Sequence, residues 1–280
     1  MIKEKGSILI FTLWILIILS IFSVIISKRA STDIRLAKYE SENIKALYLA
    51  KAGVMKMIAE LAKDTNVYDS PNEDWHKPKE FQFGGGIVSY SASDEEAMLN
   101  LNSQALQKEY LVRLGMDETI SQRIMDYKTS KGDKGFEFME ELFLIEGMTP
   151  EIYSKIKAYV TIYRGNDVKV NINTVSEEML DIILGNDAQI IDKILVYRKG
   201  PDAKEGTEDD GIFTEDNFSL IFAGFEVTPD DIVNYQSLFS VKSNFFRIYS
   251  EASFSEDKKI IKKITSVTDR AGKIYYWKED

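Results

Sequence analysis

The longest apolar stretch of the chain lies near its start. Residues 7–26 carry no charge, and sixteen of these twenty residues are apolar. A helix of this length rises about 30 Å, which matches the hydrocarbon core of a bilayer. An ordinary secretory signal has a shorter apolar core of roughly 7 to 15 residues and a cleavage site between small residues. We therefore predict a membrane-spanning helix and not an ordinary signal.

The helical pattern continues beyond the apolar stretch. Residues 28–63 contain no proline and only one glycine, and residues of high helix propensity dominate. Apolar residues recur at spacings of three, four and seven, which indicates one apolar face on the helix. This predicted stripe consists of Ile44, Leu47, Val54, Ile58 and Leu61. We expect a single helix from the membrane to about residue 63.

Patterns typical of strands lie on both sides of a long central block. A polar loop follows the helix, and residues 87–92 alternate between two faces, which predicts a strand. Three further strands are predicted at residues 244–254, 259–268 and 273–277, whereas residues 94–240 show helical patterns. A long helix on an antiparallel sheet, with a large all-α insertion between the strands, is an α+β fold.

These patterns divide the chain into five segments. They are a charged leader (1–6), the transmembrane part of the helix (7–26), a helix, loop and first strand (27–93), the helical insertion (94–240) and the last strands (241–280). The net charges of residues 1–93, 94–240 and 241–280 are +2, −15 and +3. The insertion carries the whole acidity of the chain, which supports a separate unit.

The insertion contains two repeats, at about residues 94–164 and 165–240. Leu-Asn-Leu-Asn at residues 99–102 matches Val-Asn-Ile-Asn at residues 170–173. Five later residues recur in the same order, namely Gly115, Tyr127, Phe136, Gly147 and Pro150, then Gly185, Tyr197, Phe213, Gly224 and Pro229. This order of helices and glycine turns resembles paired helix-hairpin-helix units. We expect Asn102 and Asn173 to cap the helices that follow them.

Many helix-hairpin-helix units bind DNA through a Gly-x-Gly turn whose backbone N–H groups meet a phosphate. None of the four hairpins here has the second glycine, and three carry a carboxylate instead, namely Asp117, Asp187 and Glu226. Lys and Arg supply most of the affinity for nucleic acid, so a block with a charge of −15 repels it. We predict no nucleic-acid binding; the alternative is a membrane-anchored nucleic-acid-binding protein of the competence type.

The composition limits the available chemistry. The chain has no cysteine, which removes thiolate metal sites and cysteine nucleophiles. His76 is the only histidine and lies in the polar loop, where we expect it to be exposed, so Ser-His-Asp catalysis lacks its parts. A hydrolase could use an acidic pair such as Glu140 and Glu141, but such pairs are common on helix surfaces. We predict no enzymatic activity and no catalytic residue.

The loop of residues 199–211 is rich in acidic residues. It holds five carboxylates between Asp202 and Asp210, with glycines on both sides. Calcium prefers about six to eight oxygen ligands, and glycine lets a loop turn sharply around the ion. The EF-hand spacing is absent, and a solvated acidic loop is the alternative. We predict a structural Ca²⁺ site with Asp202, Glu208, Asp209 and Asp210 as ligands.

The residues before the apolar stretch resemble a known leader. Lys3 and Lys5 precede Gly6, and the apolar run follows without a break. This resembles the leader of type IV pilins and type II secretion pseudopilins, in which a prepilin peptidase cuts after the glycine. The resemblance implies cleavage between Gly6 and Ser7 and methylation of the new N-terminus, although pilins usually have Phe or Met where this chain has Ser7. A simple single-pass anchor is the alternative.

The leader, the continuous helix, the interrupted sheet and the repeated insertion together resemble the minor pseudopilin K (GspK) family of type II secretion systems. The resemblance covers essentially the whole chain and implies a pilin-like fold with a structural role. Most pilins carry a glutamate at the fifth mature position, where this chain has Phe11. A charge in the membrane is costly unless it is paired, and that glutamate offsets the N-terminal amine of a neighbouring subunit. The resemblance therefore implies a tip subunit that initiates or caps the pseudopilus and supports protein export.

The resemblance also implies partners and a location. The expected partners are the I-type and J-type minor pseudopilins, the inner membrane and the prepilin peptidase. The predicted stripe would pack partly on the protein's own sheet and partly on partner helices. We expect a cytoplasmic N-terminus and a periplasmic location for the bulk of the chain. Lys3 and Lys5 favour this orientation, although Lys28 and Arg29 weaken the charge asymmetry.

Overall fold

The first element of the fold is one uninterrupted helix. The computed structural model describes residues 4–165, 169–185, 187–254 and 260–280, and helix α1 spans Glu4–Lys63. This confirms the predicted single helix. The chain turns after it because the Asp64 N–H binds the carbonyl of Leu61 (3.3 Å) and the Asp64 carboxylate accepts the N–H of Asn66 (3.0 Å).

An antiparallel sheet of five strands packs on the last part of α1. Its strands, given in their order across the sheet, are β1 (Lys79–Phe83), β2 (Gly86–Asp94), β7 (Phe245–Ser253), β8 (Ile260–Asp269) and β9 (Ile274–Glu279). The insertion separates β2 from β7 in the chain, yet these strands are neighbours, with Asp94 opposite Phe246. The predicted α+β fold with an interrupted sheet is confirmed.

Strand β1 was not predicted by the sequence pattern. Its sequence begins with Lys79 and Glu80, and such charged residues suit an edge strand but hide the alternation. Gly84 and Gly85, with φ of 59° and 83°, form the hairpin turn to β2. Residues 255–259, at the break between the strands predicted at 244–254 and 259–268, lie outside the described residues.

Small residues bring α1 close to the sheet. The buried apolar residues of this unit include Ala46, Leu49, Ala50, Val54, Met57 and Leu61 from the helix, with Val88, Phe246, Ile248 and Ile264 from the sheet. Gly53 is required at the contact, because a Cβ there would lie 2.2 Å from Ser250 Oγ and 2.8 Å from Val88 Cγ1. A larger residue would push the helix away from the strands.

The insertion consists of short helices around one core. They are α2 (Lys108–Arg113), α3 (Glu118–Lys131), α4 (Pro150–Ile156), α5 (Glu177–Leu184), α6 (Ala188–Lys199), α7 (Phe218–Gly224) and α8 (Pro229–Leu238), with a 3₁₀ helix over Met139–Leu144. One buried apolar cluster runs through both repeats, from Leu99 to Val241. The two repeats therefore stabilise each other.

Each repeat is closed by a pair of very short parallel strands. In the first repeat β3 (Leu99–Asn100) pairs with β4 (Val160–Thr161), and in the second β5 (Val170–Asn171) pairs with β6 (Phe239–Ser240). The expectation of purely helical structure over residues 94–240 is wrong at these places. The Asn-x-Asn segments are extended because they bind the chain at the far end of their own repeat.

Candidate assembly surfaces and the polar junction

The first half of α1 is exposed on all sides. Residues 8–41 are all exposed, and the large apolar side chains from Ile8 to Ile26 have 41% to 72% of their surface accessible. The hydroxyls of Thr12 and Ser20 donate to carbonyls of the helix itself (2.9 and 2.7 Å). These hydroxyls are satisfied within the helix, and an 18-residue stretch of it has a mean hydropathy of 3.0. Both features suit a lipid environment. One long apolar N-terminal helix therefore suggests a single-pass membrane anchor.

The residues predicted for processing lie at the start of this helix. Gly6 and Ser7 belong to its first turns, and Phe11 follows on the apolar part with 67% of its surface exposed. The side chain of Phe11, the predicted fifth mature position, thus lies on the helix surface. Cleavage at Gly6 stays a prediction.

The predicted stripe is divided between the sheet and the solvent. Val54 and Leu61 are buried against the sheet, Leu47 and Ile58 are half-buried at its border, and Ile44 is 58% exposed. Ala46, Ala50 and Gly53 complete the buried face, and the sequence pattern does not reveal them because alanine and glycine are only weakly apolar. The contact of this stripe with partner helices stays a prediction.

Arg270 connects three parts of the helix–sheet unit. Its guanidinium donates to the carbonyl of Leu61 at the end of α1 (3.1 Å) and to the Asp64 carboxylate (2.8 Å). It also binds both carboxylate oxygens of Asp69 (2.6 and 2.7 Å) and the carbonyl of Ser243 (3.0 Å). Such bidentate pairs fix geometry as well as charge. One side chain therefore fastens the helix end, the following loop and the approach to β7.

Three carboxylates meet beside this arginine. Within the part of the chain that the structure describes, Asp64, Asp69 and Glu73 are the group whose ligand atoms all lie within 4.8 Å of one another. Burial raises the pKa of Asp69 to about 6, while the N–H of Ser243 and the charge of Arg270 act to lower it. Because Arg270 already pairs with both aspartates, the group acts as a structural clamp.

Asp94 occupies the junction between the sheet and the insertion. It ends β2 and accepts four hydrogen bonds, from the N–H of Glu96 (2.7 Å), the hydroxyls of Thr174 (2.5 Å) and Ser243 (2.7 Å), and the side-chain amide of Asn171 (3.0 Å). Burial raises the pKa of Asp94, and the hydroxyl and N–H donors act to lower it. Since these donors come from both units, Asp94 holds the second repeat on the sheet.

The next two glutamates dock the first repeat. Glu95 pairs with Arg247 of β7 through two bonds (2.8 and 2.7 Å) and accepts the hydroxyl of Thr161 (2.6 Å). Glu96 pairs with Arg164 (3.3 Å), and both side chains are almost completely buried. Removing one partner of a buried ion pair is strongly destabilising, because the other charge then lies unpaired. Residues 94–96 therefore fasten both repeats of the insertion to the sheet.

The predicted helix-capping role of Asn102 and Asn173 is wrong. The side-chain amide of Asn102 donates to the carbonyls of Phe136 (2.9 Å) and Ile162 (2.8 Å), and its oxygen accepts the N–H of Phe136 (2.7 Å). Asn173 makes the equivalent bonds to Phe213 and Val241. These asparagines bridge distant segments because their side chains point into the repeat, and Ser176 instead caps α5.

The N-termini of the hairpin helices are already occupied by side chains. Asp117 caps α3 by accepting the N–H of Thr119 (2.7 Å), Thr149 caps α4, and Asp187 caps α6. In the fourth hairpin Gly224 ends α7, Glu226 has a positive φ of 64°, and Thr228 caps α8. A carboxylate or hydroxyl thus stands where a phosphate would bind.

The acidic loop is held by its own hydrogen bonds. The Asp209 carboxylate accepts the hydroxyl of Thr207 (2.7 Å) and the N–H of Asp202 (3.0 Å), and Asp210 accepts the N–H of Gly206 (2.7 Å). The hydroxyl of Thr207 lowers the pKa of Asp209. Glu208 is exposed. Calcium binding by this loop stays a prediction.

The acidic pair considered for a hydrolase has a structural explanation. Glu141 accepts bonds from the Tyr127 hydroxyl (2.7 Å), from Lys131 (3.0 Å) and from two backbone N–H groups (2.7 and 3.0 Å). Burial acts to raise the pKa of Glu141, but these bonds outweigh it and lower the pKa to about 2. A general acid needs a pKa near the working pH. Glu140 and His76 are exposed.

The geometry defines a class of fold, namely a pilin-like α+β unit whose sheet is interrupted by a repeated helical insertion. A chain in the crystal structure of the GspK–GspI–GspJ complex from the enterotoxigenic Escherichia coli type 2 secretion system has this fold. The TM-score is 0.56, the identity is 16%, and the match covers 90% of this chain and 99% of that chain. No family model and no curated protein matches the sequence. The resemblance predicted from the sequence is confirmed for the fold.

Proposed function

We propose that the chain is a minor pseudopilin of the K type in a type II secretion system. The observation that carries the proposal is the combination of an exposed apolar helix with a sheet that a repeated helical insertion interrupts. The likeness to a chain of the GspK–GspI–GspJ complex supports it, since it extends over 90% of this chain. Deleting the gene in its host should abolish type II secretion, and the full chain should restore it. Unchanged secretion would contradict the proposal.

In this proposal α1 anchors the chain in the inner membrane, with the N-terminus in the cytoplasm and the bulk of the chain in the periplasm. The prepilin peptidase cuts between Gly6 and Ser7, and the new amine is methylated. Mass spectrometry of the membrane-bound protein tests this step. Ser7 should be the N-terminus when the peptidase is present and Met1 when it is absent. Met1 in both preparations would exclude processing.

The proposed position is the tip of the pseudopilus. Phe11 cannot pair with the N-terminal amine of a subunit ahead of it, and the insertion is too bulky to fit between neighbours inside a helical array. Gold labels on the insertion should mark one end of each isolated pseudopilus. Labels distributed along the length would contradict the tip position.

The proposed partners are the I-type and J-type minor pseudopilins, and no nucleic acid is involved. The similar chain belongs to a complex of GspK, GspI and GspJ, and this supports the choice. Co-purification of the full chain with each candidate from solubilised membranes is the test. Salt-sensitive binding of the chain to duplex DNA would instead favour the competence-type alternative.

We also propose a structural Ca²⁺ in the acidic loop, with Asp202, Glu208, Asp209 and Asp210 as ligands. The density of carboxylates between glycines supports it. Calcium should raise the melting temperature of the protein, and Asp209→Ala should remove this effect. A melting temperature that does not respond to calcium would leave the loop as a solvated surface segment.

A further inference from the structure

Asp94 is a buried carboxylate that has no cation as a direct partner. Only 5% of its surface is exposed. Its four hydrogen-bond donors are neutral, and three of them, including the side-chain amide of Asn171, reach the same oxygen, Oδ2. Among the described residues, no ion pair includes Asp94. The charged form of this carboxylate is therefore costly here.

The arginines around the junction are already paired with other acids. Ser243 joins Asp94 to one of these acids, because its hydroxyl binds Asp94 (2.7 Å) and its N–H binds Asp69 (2.7 Å). Lys157 and Glu178 line the groove outside Asp94, but both are exposed and opposite in charge. The pairs are Arg164 with Glu96, Arg247 with Glu95, and Arg270 with Asp64 and Asp69. Together with Asp94, five carboxylates thus meet three guanidinium groups.

This excess of carboxylates favours a bound proton. Burial raises the pKa of Asp69 to about 6, and the charge of Asp94 adds to this effect. Burial also raises the pKa of Asp94, whereas the hydroxyls of Thr174 and Ser243 act to lower it. On the neighbouring loop, burial lowers the pKa of His76, and the charge of Asp94 acts to raise it. Because close carboxylates titrate together, the Asp69–Asp94 pair holds a proton above the ordinary aspartate pKa of about 3.9.

The hydroxyl of Thr174 has two acceptors within reach. It donates to Oδ2 of Asp94 (2.5 Å), and the carbonyl oxygen of Asn171 lies 3.5 Å from the same hydroxyl oxygen. When Asp94 is protonated, its O–H can donate to Thr174 Oγ1 while the Thr174 hydroxyl turns to that carbonyl. The junction thus offers hydrogen bonds to both protonation states of Asp94.

We propose that Asp94 is a proton-binding site, which couples the docking of the second repeat on the sheet to pH. Asn171 and Thr174 belong to the second repeat, so undocking would expose Asp94 to water and restore its ordinary pKa. A carboxylate whose pKa is raised in the docked state favours docking below its ordinary pKa, and this contribution is lost as pH rises through the raised value. Mild acid should therefore hold the second repeat more tightly. The inference does not depend on the proposed function.

Infrared spectroscopy of the full chain in detergent tests the proton on Asp94, because a carboxylic acid and a carboxylate absorb at different frequencies. At about pH 6, where exposed carboxylates are ionised, the unchanged chain should show a carboxylic-acid band that Asp94→Asn removes. Asp117 is an exposed helix cap, so the control Asp117→Asn should keep the band. Identical spectra for Asp94→Asn and the unchanged chain would overturn the inference.

A second variant tests the site without changing the number of carboxylates. Thr174→Val removes one of the four donors to the ionised Asp94. A hydrogen bond to a charged group is stronger than one to a neutral group, so the ionised form should lose more than the protonated form. The acid band should then persist to a pH about one unit higher than in the unchanged chain. A midpoint that does not rise would overturn the assignment of the proton to Asp94.

Hydrogen exchange tests the coupling to docking. The N–H groups of Ser243 and Asn244 donate to the carboxylates of Asp69 and Glu96 (both 2.7 Å), so undocking frees them. After correction for intrinsic rates, exchange of residues 241–244 should be about tenfold faster at about pH 7 than at about pH 5. Asp94→Asn should remove this difference, and residues 162–165, the matching segment of the first repeat, should not show it. Equal changes in both segments, or no change in either, would overturn the inference.

Discussion

The two repeats of the insertion are alike at one asparagine and different at the other. Asn102 and Asn173 each bridge their own repeat through the same three hydrogen bonds. Asn100 donates to the carbonyl of Gly165, between the repeats, whereas Asn171 donates to Asp69 and Asp94 of the helix–sheet unit. The second asparagine of the motif, Asn102 or Asn173, thus stabilises its own repeat. The first asparagine of the second repeat, Asn171, instead docks that repeat on the helix–sheet unit.

Exchanging the first asparagine of each pair for aspartate should separate these two roles most strongly. Asn171→Asp sets a second carboxylate beside Asp94, where the amide now lies 3.0 Å from it. We expect a loss of about 3 to 5 kcal/mol in unfolding free energy, against about 1 to 2 kcal/mol for Asn100→Asp. Urea unfolding followed by circular dichroism measures both. Equal losses would show that Asn171 has no special role in docking.

The same variant has a predicted pH dependence. Like charges raise the folded-state pKa of a carboxylate above its unfolded value. A group of this kind favours the folded state below the unfolded pKa and loses that contribution as pH rises through the folded pKa. The deficit of Asn171→Asp should therefore be smallest in acid and grow toward neutral pH.

Replacing the second asparagine of each pair by alanine should have similar effects in the two repeats. Asn102→Ala and Asn173→Ala each remove three bonds and leave buried backbone groups unpaired. We expect about 2 to 4 kcal/mol for each, equal within about 1 kcal/mol. The same unfolding assay applies. A much smaller loss for one variant would show that the repeats differ inside as well as at the junction.

The aromatic residue that each asparagine holds offers a smaller contrast. Phe213 has no exposed surface and contacts Tyr197 (4.8 Å), Phe218 and Phe222, whereas Phe136 contacts Tyr127 (5.4 Å). Phe213→Leu should cost about 2 kcal/mol and Phe136→Leu about 1 kcal/mol, because more ring contacts are lost in the second repeat. Melting temperatures of the two variants, compared at one pH, test the order.

The smallest expected difference between the two repeats is in how their stability responds to low pH. The Tyr127 hydroxyl donates to Glu141, but the matching Tyr197 donates to the carbonyl of Ile212, so only the first repeat has a titratable acceptor there. The folded-state pKa of Glu141 is lowered to about 2, so its contribution is present above the unfolded value of about 4.3 and lost as pH falls toward 2. Glu141→Gln should cost about 1 kcal/mol at pH 7 and almost nothing at pH 2. A constant deficit across this range would contradict the explanation.

The sequence predicted the long helix, the interrupted sheet and the repeats because each depends on a local period or on self-similarity. The polar junction has no such signal. Asp94, Glu95 and Glu96 resemble a solvated acidic turn in the sequence, and they are buried only because Arg164 and Arg247 arrive from 68 and 152 residues away. The asparagine motif was visible, but its partners at Phe136 and Phe213 are set by tertiary packing.

The helix faces were predicted less well than the helix. Large apolar residues alone suggested one stripe that included Ile44, yet Gly53 and alanines form much of the face on the sheet. At Gly53 the helix lies so close to the sheet that only a small residue fits, whereas the larger Ile44 is exposed.

The pairing of Asp94 with Phe246 also predicts an order of folding. About 150 residues separate β2 from its neighbour β7 in the sequence. Closing so long a loop in an unfolded chain is slow and entropically costly. The short parallel strands bring the two ends of the insertion together once its repeats have packed. The insertion thus shortens the effective loop, and β7 reaches β2 as part of a folded body. The sheet should be the last part of the molecule to form, with the long helix held against an incomplete surface until then.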